Sequence, residues 1–362
     1  MLRFLTAGES HGPCLTAIVD GLPAGLAIDV EAIDRDLARR QGGYGRGERM
    51  TIERDRVEIL GGVLSGRTTG APVALRIANR DWVQDDQPRL TVPRPGHADY
   101  AGMVKYGLDD ARAVLERASA RETAARVAVG ALAKQLLAAP GVGIGSYVAE
   151  IGGVVAAIPA QPFEAVWALA EASDVRCPDT AAAGQMRAAI DAARAEGDSL
   201  GGVFVVAATG VPTGLGSYVQ WDRRLDARLA AAVTSIPAVK GVEIGPAFAN
   251  ARRSGTQVHD ALHWDDTGSV IRHTNRAGGI EGGMSNGAPI VVRAAMKPIP
   301  TTLTPLSSVD LATGETAETE YQRSDVCAVP AASVVGEAMV AWVLAEALVE
   351  RRGGDRLAET AG

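Results

Sequence analysis

Two segments of the chain have the composition of anion-binding sites. Residues 39–49 contain four arginines and four glycines, and Arg117 and Arg121 stand four residues apart at the expected start of a helix. Glycine lets the backbone approach a ligand closely, a guanidinium group can bind phosphate or carboxylate through two hydrogen bonds, and a helix N-terminus attracts anions. Each segment alone is equally typical of a solvated basic surface. Together they indicate a small and highly anionic ligand.

Two histidines are candidates for proton transfer near neutral pH. His11 and His97 lie in glycine-containing turns, Gly-Glu-Ser-His-Gly and Arg-Pro-Gly-His, where the backbone can approach a ligand. Taken singly, a histidine in such a turn is more often structural or exposed. Arg94 precedes His97 by three residues and Arg323 precedes Asp325 by two, so each arginine adds a cation beside a titratable group.

Two other chemistries receive little support. Residues 8–12 match the G-x-S-x-G nucleophile elbow of hydrolases around Ser10, but that motif needs a strand before the serine and a helix after it. Here only a short segment precedes Ser10, and the residues that follow are strand-like. A second match to the motif, at residues 197–201, contains no histidine. His259 and His263 have the i, i+4 spacing of metal ligands, but no third ligand completes a pattern, so we expect no metal.

The composition is that of a globular protein and limits the partners. The chain has 362 residues, of which 47% are hydrophobic and 22% charged, and its net charge of −7 disfavours general binding of nucleic acid. Three irregularly spaced cysteines indicate reduced thiols, and we expect neither a signal peptide nor a membrane span, hence a cytoplasmic location. The most apolar helix, near residues 333–349, carries Glu337 and Glu346 and is interpreted as a core or subunit-contact helix.

An internal repeat runs through the sequence. A shift of 189 positions aligns glycines, a serine and a proline of residues 8–26 with residues 197–215, and a shift of 217 does the same for residues 61–76 and 278–293. Chance similarity in a chain rich in glycine and alanine is the alternative. Recurrent glycines are expected if each half repeats the same tight turns.

A duplication would organise the chain into two related halves within a single domain of residues 1–362. The halves would cover residues 1–140 and 195–350, with residues 141–195 as connection and residues 351–362 as a loose tail.

The hydrophobic patterns of both halves combine strands with helices. We expect an α+β protein with two related antiparallel sheets and helices packed on them, since strands joined by turns pair antiparallel. The predicted strands are 15–20, 24–30, 56–60, 72–78, 203–209 and 290–295, and the predicted helices are 31–41, 120–138, 226–234 and 331–349.

Nine segments along almost the whole chain resemble the chorismate synthase family. They are GESHG at 8–12, RRQGGYGRGERM at 39–50, GGVLSGRTTGAP at 61–72, RPGHADY at 94–100, RASARET at 117–123, IPAVKGVEIG at 236–245, GGIEGGMSNG at 278–287, KPIPT at 297–301 and QRSDVCAVPAA at 322–332. Each is weakly specific, whereas nine in order are very specific. Ala118 departs from the serine frequent in the family.

The resemblance implies the family's fold, reaction and assembly. The fold would contain two related antiparallel four-stranded sheets, and the assembly would be a homotetramer. The reaction is a 1,4-anti elimination of phosphate from 5-enolpyruvylshikimate 3-phosphate, which gives chorismate in the last step of the shikimate pathway to aromatic amino acids. This lyase requires reduced FMN without net redox change. Whether NADPH reduces the FMN on the chain, or a separate reductase does, stays open.

The resemblance also assigns roles to single residues. His11 would protonate the leaving phosphate, His97 would keep the reduced flavin in its active protonation state, and Asp325 would help flavin N5 take the substrate proton. The residues that would contact substrate anions are Ser10, Arg40, Arg46, Arg49, Arg94, Arg121 and Arg323. The residues that would contact FMN are Arg117, Ala118, Ser119, Pro237, Ala238, Gly282, Lys297, Pro298, Ile299, Pro300, Thr301 and Arg323. A secondary contact with NADP would involve Arg40 and Arg46.

Two other functions use the same residues. An NADP- or flavin-dependent oxidoreductase would oxidise or reduce its substrate and consume the cofactor in equal amount. A non-catalytic, oligomeric anion-binding protein would be indifferent to the loss of His11 or His97. A lyase would release phosphate while the flavin acts catalytically.

Overall fold

Strand and helix patterns in the two halves of the chain produce two antiparallel sheets with helices between them. The structure is a computed structural model that describes residues 1–47, 49–82 and 88–356. The first half contains β1 (Arg3–Ala7), β2 (Cys14–Asp20), α1 (Val30–Gln41), α2 (Arg49–Ile52), β3 (Val57–Gly61), β4 (Val63–Leu64), β5 (Arg67–Thr68), β6 (Val73–Ala78), α3 (Asp99–Tyr106), α4 (Arg112–Ala118) and α5 (Thr123–Ala138). The second half contains β7 (Gly143–Ile151), β8 (Val154–Val155), α6 (Phe163–Glu171), α7 (Thr180–Ala195), β9 (Gly202–Thr209), α8 (Leu225–Thr234), β10 (Val239–Ile244), α9 (Ala247–Asn250), α10 (Gly255–Val258), β11 (Leu262–Trp264), β12 (Val270–Arg272), β13 (Ile280–Glu281), β14 (Met284–Ser285), β15 (Ile290–Met296), β16 (Ser307–Val309), β17 (Thr316–Glu318) and α11 (Val329–Arg352).

The two main sheets have the same strand order. The first is β1-β2-β6-β3, and the second is β7-β9-β15-β10 with the short strand β8 on the outer side of β7. Alternate residues of β2 and β6, such as Leu15 and Leu75, are buried because successive side chains of a strand point to opposite faces. In β9 the residues from Phe204 to Ala208 are all buried, so both faces of that strand are covered. The expectation of two four-stranded sheets is therefore wrong for the second sheet, which β8 makes five-stranded.

Each half contains an equivalent hydrogen bond beside its small hairpin, which is β4–β5 in the first half and β13–β14 in the second. Thr68 Oγ1 donates to the carbonyl of residue 23 at 2.6 Å, and Ser285 Oγ donates to the carbonyl of residue 212 at 2.6 Å. Gly62 and Gly279 precede the hairpins with φ of 83° and 80°. A Cβ there would lie 2.4 or 2.5 Å from the carbonyl oxygen of residue 72 or 289, so both turns require glycine. These shared contacts support the proposal of an ancient duplication.

The second half begins earlier than the repeat in the sequence indicates. Strand β7 corresponds to β1 in its sheet, although it falls in the segment 141–195 that was expected to be connection. The repeat is hidden there because residues 152–201, which include α6 and α7, separate β7 from β9, whereas β1 and β2 are joined by a short turn.

Other predicted boundaries differ at particular residues. The strand predicted at 24–30 is wrong, because Asp29 accepts a hydrogen bond from Ala32 N at 3.0 Å and caps α1 there. The helix predicted from residue 120 begins with a 3-10 turn, Ala120–Glu122. The predicted tail at 351–362 starts within α11, and Ala24 N donates to the carbonyl of residue 355 at 2.9 Å. Residues 357–362 of that tail lie outside the described residues.

Helices α5 and α11 form the layer between the sheets. Helix α5 packs on the first sheet, α11 packs on the second, and the two helices contact each other. Their close approach depends on Gly130, where a Cβ would lie 2.3 Å from Ala338 Cβ. Helix α11 is long and apolar enough to cross a membrane by length and composition, but 94% of its most apolar window is buried inside the protein, as in a core helix.

A buried carboxylate joins this helical layer to both halves. Glu337 of α11 accepts hydrogen bonds from Arg39 at 2.8 Å, from Lys134 at 2.7 Å and from Ser146 Oγ at 2.6 Å. Arg176 Nη2 also donates to Glu337 at 3.2 Å. Burial by itself would raise the pKa of Glu337, but Lys134 and Arg39 outweigh it and hold the pKa far below its usual value. This network fixes the end of α1 that carries Arg39 and the residue after it.

Candidate active site

Two buried arginines, Arg40 at the end of α1 and Arg121, face the same carboxylate, that of Asp55. Arg40 lies in the last turn of α1, and Arg121 lies in the 3-10 turn before α5. Arg121 Nη1 donates to both carboxylate oxygens of Asp55 at 2.7 Å, and Arg40 Nη1 lies 3.6 Å from Asp55 Oδ2. Arg40 Nε donates to Thr123 Oγ1 at 2.9 Å, and Arg121 Nε donates to Asn79 Oδ1 at 2.8 Å. Both guanidinium groups are therefore held in fixed orientations.

The Arg40 guanidinium is charged although it is buried. Burial lowers the pKa of Arg40 to about 9, Asp55 opposes this shift, and the charges of Arg121 and Arg46 add to it. This value is still above neutrality, so the group keeps its proton at pH 7. Arg40 Nη1 and Arg49 Nε are buried donors without a hydrogen-bond partner in the described part of the chain. Oxygens of a bound anion would satisfy both donors.

Arg49 and Arg323 extend this site toward the turn that carries Ser10. Arg49 Nη1 donates to Ser10 Oγ at 2.7 Å, and Arg49 Nη2 donates to the Ser10 carbonyl. Glu53 accepts from Arg49 Nη2 at 3.3 Å, and its Oε2 lies 3.8 Å from Arg121 Nη2. Asp81 Oδ2 accepts a hydrogen bond from Arg323 Nη2 and lies 3.7 Å from Arg49 Nε. Arg323 thus reaches the same site from a segment far along the chain.

A glycine loop brings Arg46 to Asp325. Arg46 Nη1 donates to Asp325 Oδ2 at 2.6 Å, and Gly47 N donates to Asp325 Oδ1 at 2.7 Å. A Cβ at Gly47 would lie 2.8 Å from the carbonyl oxygen of Ser324, so this close approach of two backbones requires glycine. The backbone also joins these segments, since Val326 N donates to the Gly45 carbonyl at 2.9 Å.

His11 is held by a carboxylate on α4 and faces the arginine cluster. His11 Nδ1 lies 2.8 Å from Glu116 Oε1, and His11 N donates to Glu116 Oε2 at 2.6 Å. The other ring nitrogen, Nε2, lies 3.5 Å from Arg49 Nη1. Ser119 Oγ donates to Ser10 Oγ at 3.0 Å, which adds a hydroxyl beside the histidine. Burial would raise the pKa of Glu116, but its hydrogen bonds with His11 outweigh burial and lower it.

His97 has a similar arrangement at a second group of residues. His97 Nδ1 lies 2.5 Å from Asp99 Oδ1, and Arg94 Nε donates to Asp99 Oδ2 at 2.8 Å. Arg94 Nη1 also donates to Thr301 Oγ1 at 3.0 Å. Burial would raise the pKa of Asp99, whereas His97 and Arg94 lower it far below its usual value. Asp99 is therefore ionised and fixes both Arg94 and His97.

A small cavity lies beside Arg94 and Asp99. It has a volume of about 60 Å³, and its lining includes Arg94, Asp99, Leu115 and Gln322. Leu115 lies on α4 directly before the glutamate that holds His11, and Gln322 directly precedes Arg323. The segments that carry Glu116 and Arg323 therefore each contribute a neighbouring residue to the lining of this cavity.

Some of the residues expected to contact FMN are joined by hydrogen bonds, whereas Gly282 is not among them. Lys297 N donates to the Ala238 carbonyl at 2.9 Å, and Arg126 Nη1 donates to Ser235 Oγ at 2.7 Å, which joins α5 to the segment containing Pro237. Gly282 lies apart, in the turn of the β13–β14 hairpin beside the start of α8. Residues 237 and 238 follow the end of that helix, whose ten residues span about 15 Å.

The residues around Lys297 fit a bound phosphate. Burial lowers the pKa of Lys297, and the charge of Lys240 lowers it further, so an anion there would relieve both effects. Ala238 has φ of 68°, a left-handed backbone unusual for alanine and often found at functional sites. Arg117 donates to Thr6 Oγ1 at 2.8 Å and lies 4.0 Å from Glu122, which also accepts from Arg126 Nε.

Sequence reasoning identified Asp325 but missed the other carboxylates of the site. Asp55, Asp81 and Glu116 pair with the predicted arginines and histidine but carry no motif signal. Asp99 could have been found, since it stands two residues after His97 within RPGHAD. Among the described residues, no group of three histidines, cysteines or carboxylates could hold a metal, and the His263 ring contacts His273 with centroids 4.5 Å apart.

The fold and the site together define a class of protein. Five arginines from distant segments meet beside a carboxylate-bound histidine, which is the arrangement of an enzyme that binds a small polyanion and moves a proton on it. The arginines are Arg40, Arg46, Arg49, Arg121 and Arg323.

Comparisons with known proteins identify the family. The model of the family described as chorismate synthase matches residues 2–349. The chorismate synthase of Desulforudis audaxviator is 58% identical, with 99% of this chain and 95% of the relative covered. That of Chlorobaculum tepidum is 56% identical, with coverage of 99% and 96%. A crystal structure of chorismate synthase matches with a TM-score of 0.82 and 47% identity, over 99% of this chain and 95% of that one. The chain belongs to the chorismate synthase family.

Membership of this family settles the reaction. The family's enzyme is a lyase of the shikimate pathway that converts 5-enolpyruvylshikimate 3-phosphate to chorismate and phosphate, on the way to aromatic compounds. The family depends on reduced FMN. The substrate is thus a small molecule with one phosphate and two carboxylates, whose charge at neutral pH is near −4 with the phosphate counted at about −1.5 to −2.

Proposed function

We propose that the arginine cluster is where this chain binds the substrate anions. The observation that carries the proposal is the pairing of Arg40 and Arg121 through one buried carboxylate, together with two buried donors, Arg40 Nη1 and Arg49 Nε, that make no hydrogen bond in the described structure. Bidentate guanidinium groups match phosphate and carboxylate geometry. The proposed substrate contacts are Ser10, Arg40, Arg46, Arg49, Arg94, Arg121 and Arg323.

His11 is the proposed general acid for the leaving phosphate. Its Nε2 lies on the same side as Arg49 and Ser10, where a phosphate would accept their hydrogen bonds. A proton given by Nε2 to the phosphate oxygen would neutralise charge as the C–O bond breaks. The hydroxyl of Ser119 would help to orient the same group.

His97 and Asp325 are the proposed residues that hold or move a proton on the cofactor side. Reduced FMN, when bound, supplies electron density to the breaking C–O bond. Asp99 and Arg94 both contact His97 Nδ1 and so orient the ring. Asp325 is oriented by Arg46 and Gly47, so its carboxylate is fixed before the substrate proton is removed.

The proposed FMN contacts follow the linked segments. They are Arg117, Ala118, Ser119, Pro237, Ala238, Arg323 and residues 297–301, with Lys297 suited to the cofactor's phosphate. Gly282 is also a proposed FMN contact, and it lies apart from the others within the chain, in the β13–β14 hairpin.

We extend the proposal to assembly, location and reductant. The chain would act as a cytoplasmic homotetramer. If NADPH reduces the FMN on this chain, Arg46 is the better of the two proposed NADP contacts, because Arg40 is only 3% exposed. This leaves Arg40 to the substrate.

An anaerobic assay tests the proposed function. Purified protein is given reduced FMN and 5-enolpyruvylshikimate 3-phosphate, and phosphate release and chorismate absorbance are followed. We expect equal amounts of both products over many turnovers per flavin. Failure to form product would overturn the proposal, and consumption of one reduced flavin per substrate would instead support an oxidoreductase.

Arg121→Lys tests the substrate site itself. Lysine keeps the charge but cannot make the forked hydrogen bonds, so at least one charge-assisted bond of about 1.5–3 kcal/mol is lost. We expect the KM for substrate to rise by about tenfold or more. Arg3→Lys is the control because that side chain is 74% exposed, and its KM should not change. Equal KM values for both variants would refute the role of Arg121.

A further inference from the structure

Glu116 holds His11 through both of its carboxylate oxygens. One oxygen accepts from the backbone N–H of His11 at 2.6 Å, and the other lies 2.8 Å from His11 Nδ1. The backbone carbonyl of Glu116 also accepts from Ser10 N at 3.1 Å. Three contacts from one residue therefore fix the turn that carries His11. The Glu116 side chain is 12% exposed and the His11 side chain 34%, so the carboxylate is the more enclosed partner.

The partners of the two ring nitrogens differ in chemistry. A carboxylate only accepts hydrogen bonds and a guanidinium only donates them, so Nδ1 beside Glu116 carries a proton. Arg49 Nη1 lies on the other side, 3.5 Å from Nε2. The neutral ring is thus set in the Nδ1–H tautomer, with the Nε2 lone pair toward the arginine cluster. When the ring gains a second proton, that proton must sit on Nε2.

We propose that Glu116 is the positioning residue that directs the His11 proton to the leaving phosphate. This inference rests on the proposed function, in which His11 is the general acid. The Nε2–H bond breaks as a phosphate oxygen takes the proton, while the C–O bond pair leaves with the phosphate. The neutral ring that remains keeps Nδ1–H on Glu116, so no rotation is needed between turnovers. Ser10 and Arg49 also lie within reach of His11, and in this proposal they hold the anion that receives the proton.

Steady-state kinetics with reduced FMN and substrate test the inference. Glu116→Gln cannot accept from both His11 N and Nδ1, because an amide has one acceptor oxygen. We expect kcat to fall about 10- to 100-fold with little change in KM, in the range found when residues that orient a histidine are removed. Glu116→Asp should recover part of kcat. Glu58→Gln is the matched control, since Glu58 is 53% exposed and pairs only with Arg76 among the described residues, and it should keep full activity.

A double-mutant cycle separates positioning from structure. If Glu116 acts through His11, adding Glu116→Gln to His11→Ala should cause no further loss of kcat. An additional loss of the same size in both backgrounds would overturn the inference. If His11→Ala itself keeps full kcat, the general-acid role under the proposed function fails; if His11→Ala is impaired while Glu116→Gln is not, only the role of Glu116 fails.

A measurement without substrate or cofactor gives an independent readout. Nitrogen chemical shifts of ¹⁵N-histidine-labelled protein report which ring nitrogen carries the proton. Neutral His11 should be a single Nδ1–H tautomer in the native chain and a mixture in Glu116→Ala. An identical His11 tautomer in both proteins would contradict the proposal, and circular dichroism would establish that the variant is folded.

Discussion

Glu337→Gln should destabilise the protein strongly through the buried network between the halves. The carboxylate is fully buried and faces Arg39, Lys134 and Arg176, so the change leaves three cations around a neutral amide. Breaking a buried ion pair costs about 3–5 kcal/mol. Asp36 and Glu171 still pair with these cations, so the lower end applies and we expect a loss of about 3 kcal/mol in the free energy of unfolding.

The pH dependence of this loss follows from the direction of the pKa shift. The folded pKa of Glu337 is held below its ordinary value of 4.5, so its stabilisation is complete above the unfolded pKa and disappears as pH falls through the folded pKa. The difference in stability between the native protein and Glu337→Gln should therefore be constant from pH 7 to about pH 5 and shrink at lower pH.

Urea unfolding at one fixed protein concentration measures both effects. Glu350→Gln on the same helix is the control, because Glu350 is 48% exposed and pairs with Arg228, which predicts a change within about 1 kcal/mol. Equal losses for the two variants, or a difference that grows as pH falls below about 4.5, would refute the reasoning.

Two further outcomes are expected. Gly130→Ala should lower the thermal unfolding temperature, because the new Cβ would lie 2.3 Å from Ala338 Cβ, whereas Gly184→Ala in α7 meets nothing closer than 4.0 Å and should stabilise the helix by about 0.5–1 kcal/mol; equal shifts would contradict the packing described. His97→Ala should lower kcat with little loss of substrate affinity, and Asp99→Asn should do so to a smaller extent, because Asp99 orients the ring; a raised dissociation constant with unchanged turnover would reject this role.

The arginines and histidines of the site were accessible to sequence reasoning because they stand in short recognisable motifs, several of them rich in glycine. Their partners were not: Asp81 and Arg323 are 242 residues apart, and nothing local connects them. Pairing over such distances is decided by how the two sheets pack on α5 and α11. Strand β7 was missed for a related reason, since a long insertion separates it from β9 and conceals its equivalence to β1.

The strands and helices that were predicted from hydrophobic spacing mostly agree with the structure, whereas α3, α4, α6 and α7 were not predicted. Helix α1 differs from its predicted range by one residue, because Asp29 supplies its cap. Residues 24–30 were the exception, since alternating side chains there have no neighbouring strand except isolated bridges at residues 24 and 27. Backbone pairing, rather than local pattern, decides whether such a segment becomes a strand.

The central claim is that arginines from distant segments of the chain bind one polyanionic substrate beside the flavin site. A crystal structure of the protein with 5-enolpyruvylshikimate 3-phosphate and oxidised FMN tests it most directly. We predict Arg46, Arg121 and Arg323 within hydrogen-bonding distance of substrate oxygens, with His11 Nε2 facing the phosphate. Substrate bound elsewhere, with these three side chains directed away from it, would contradict the account.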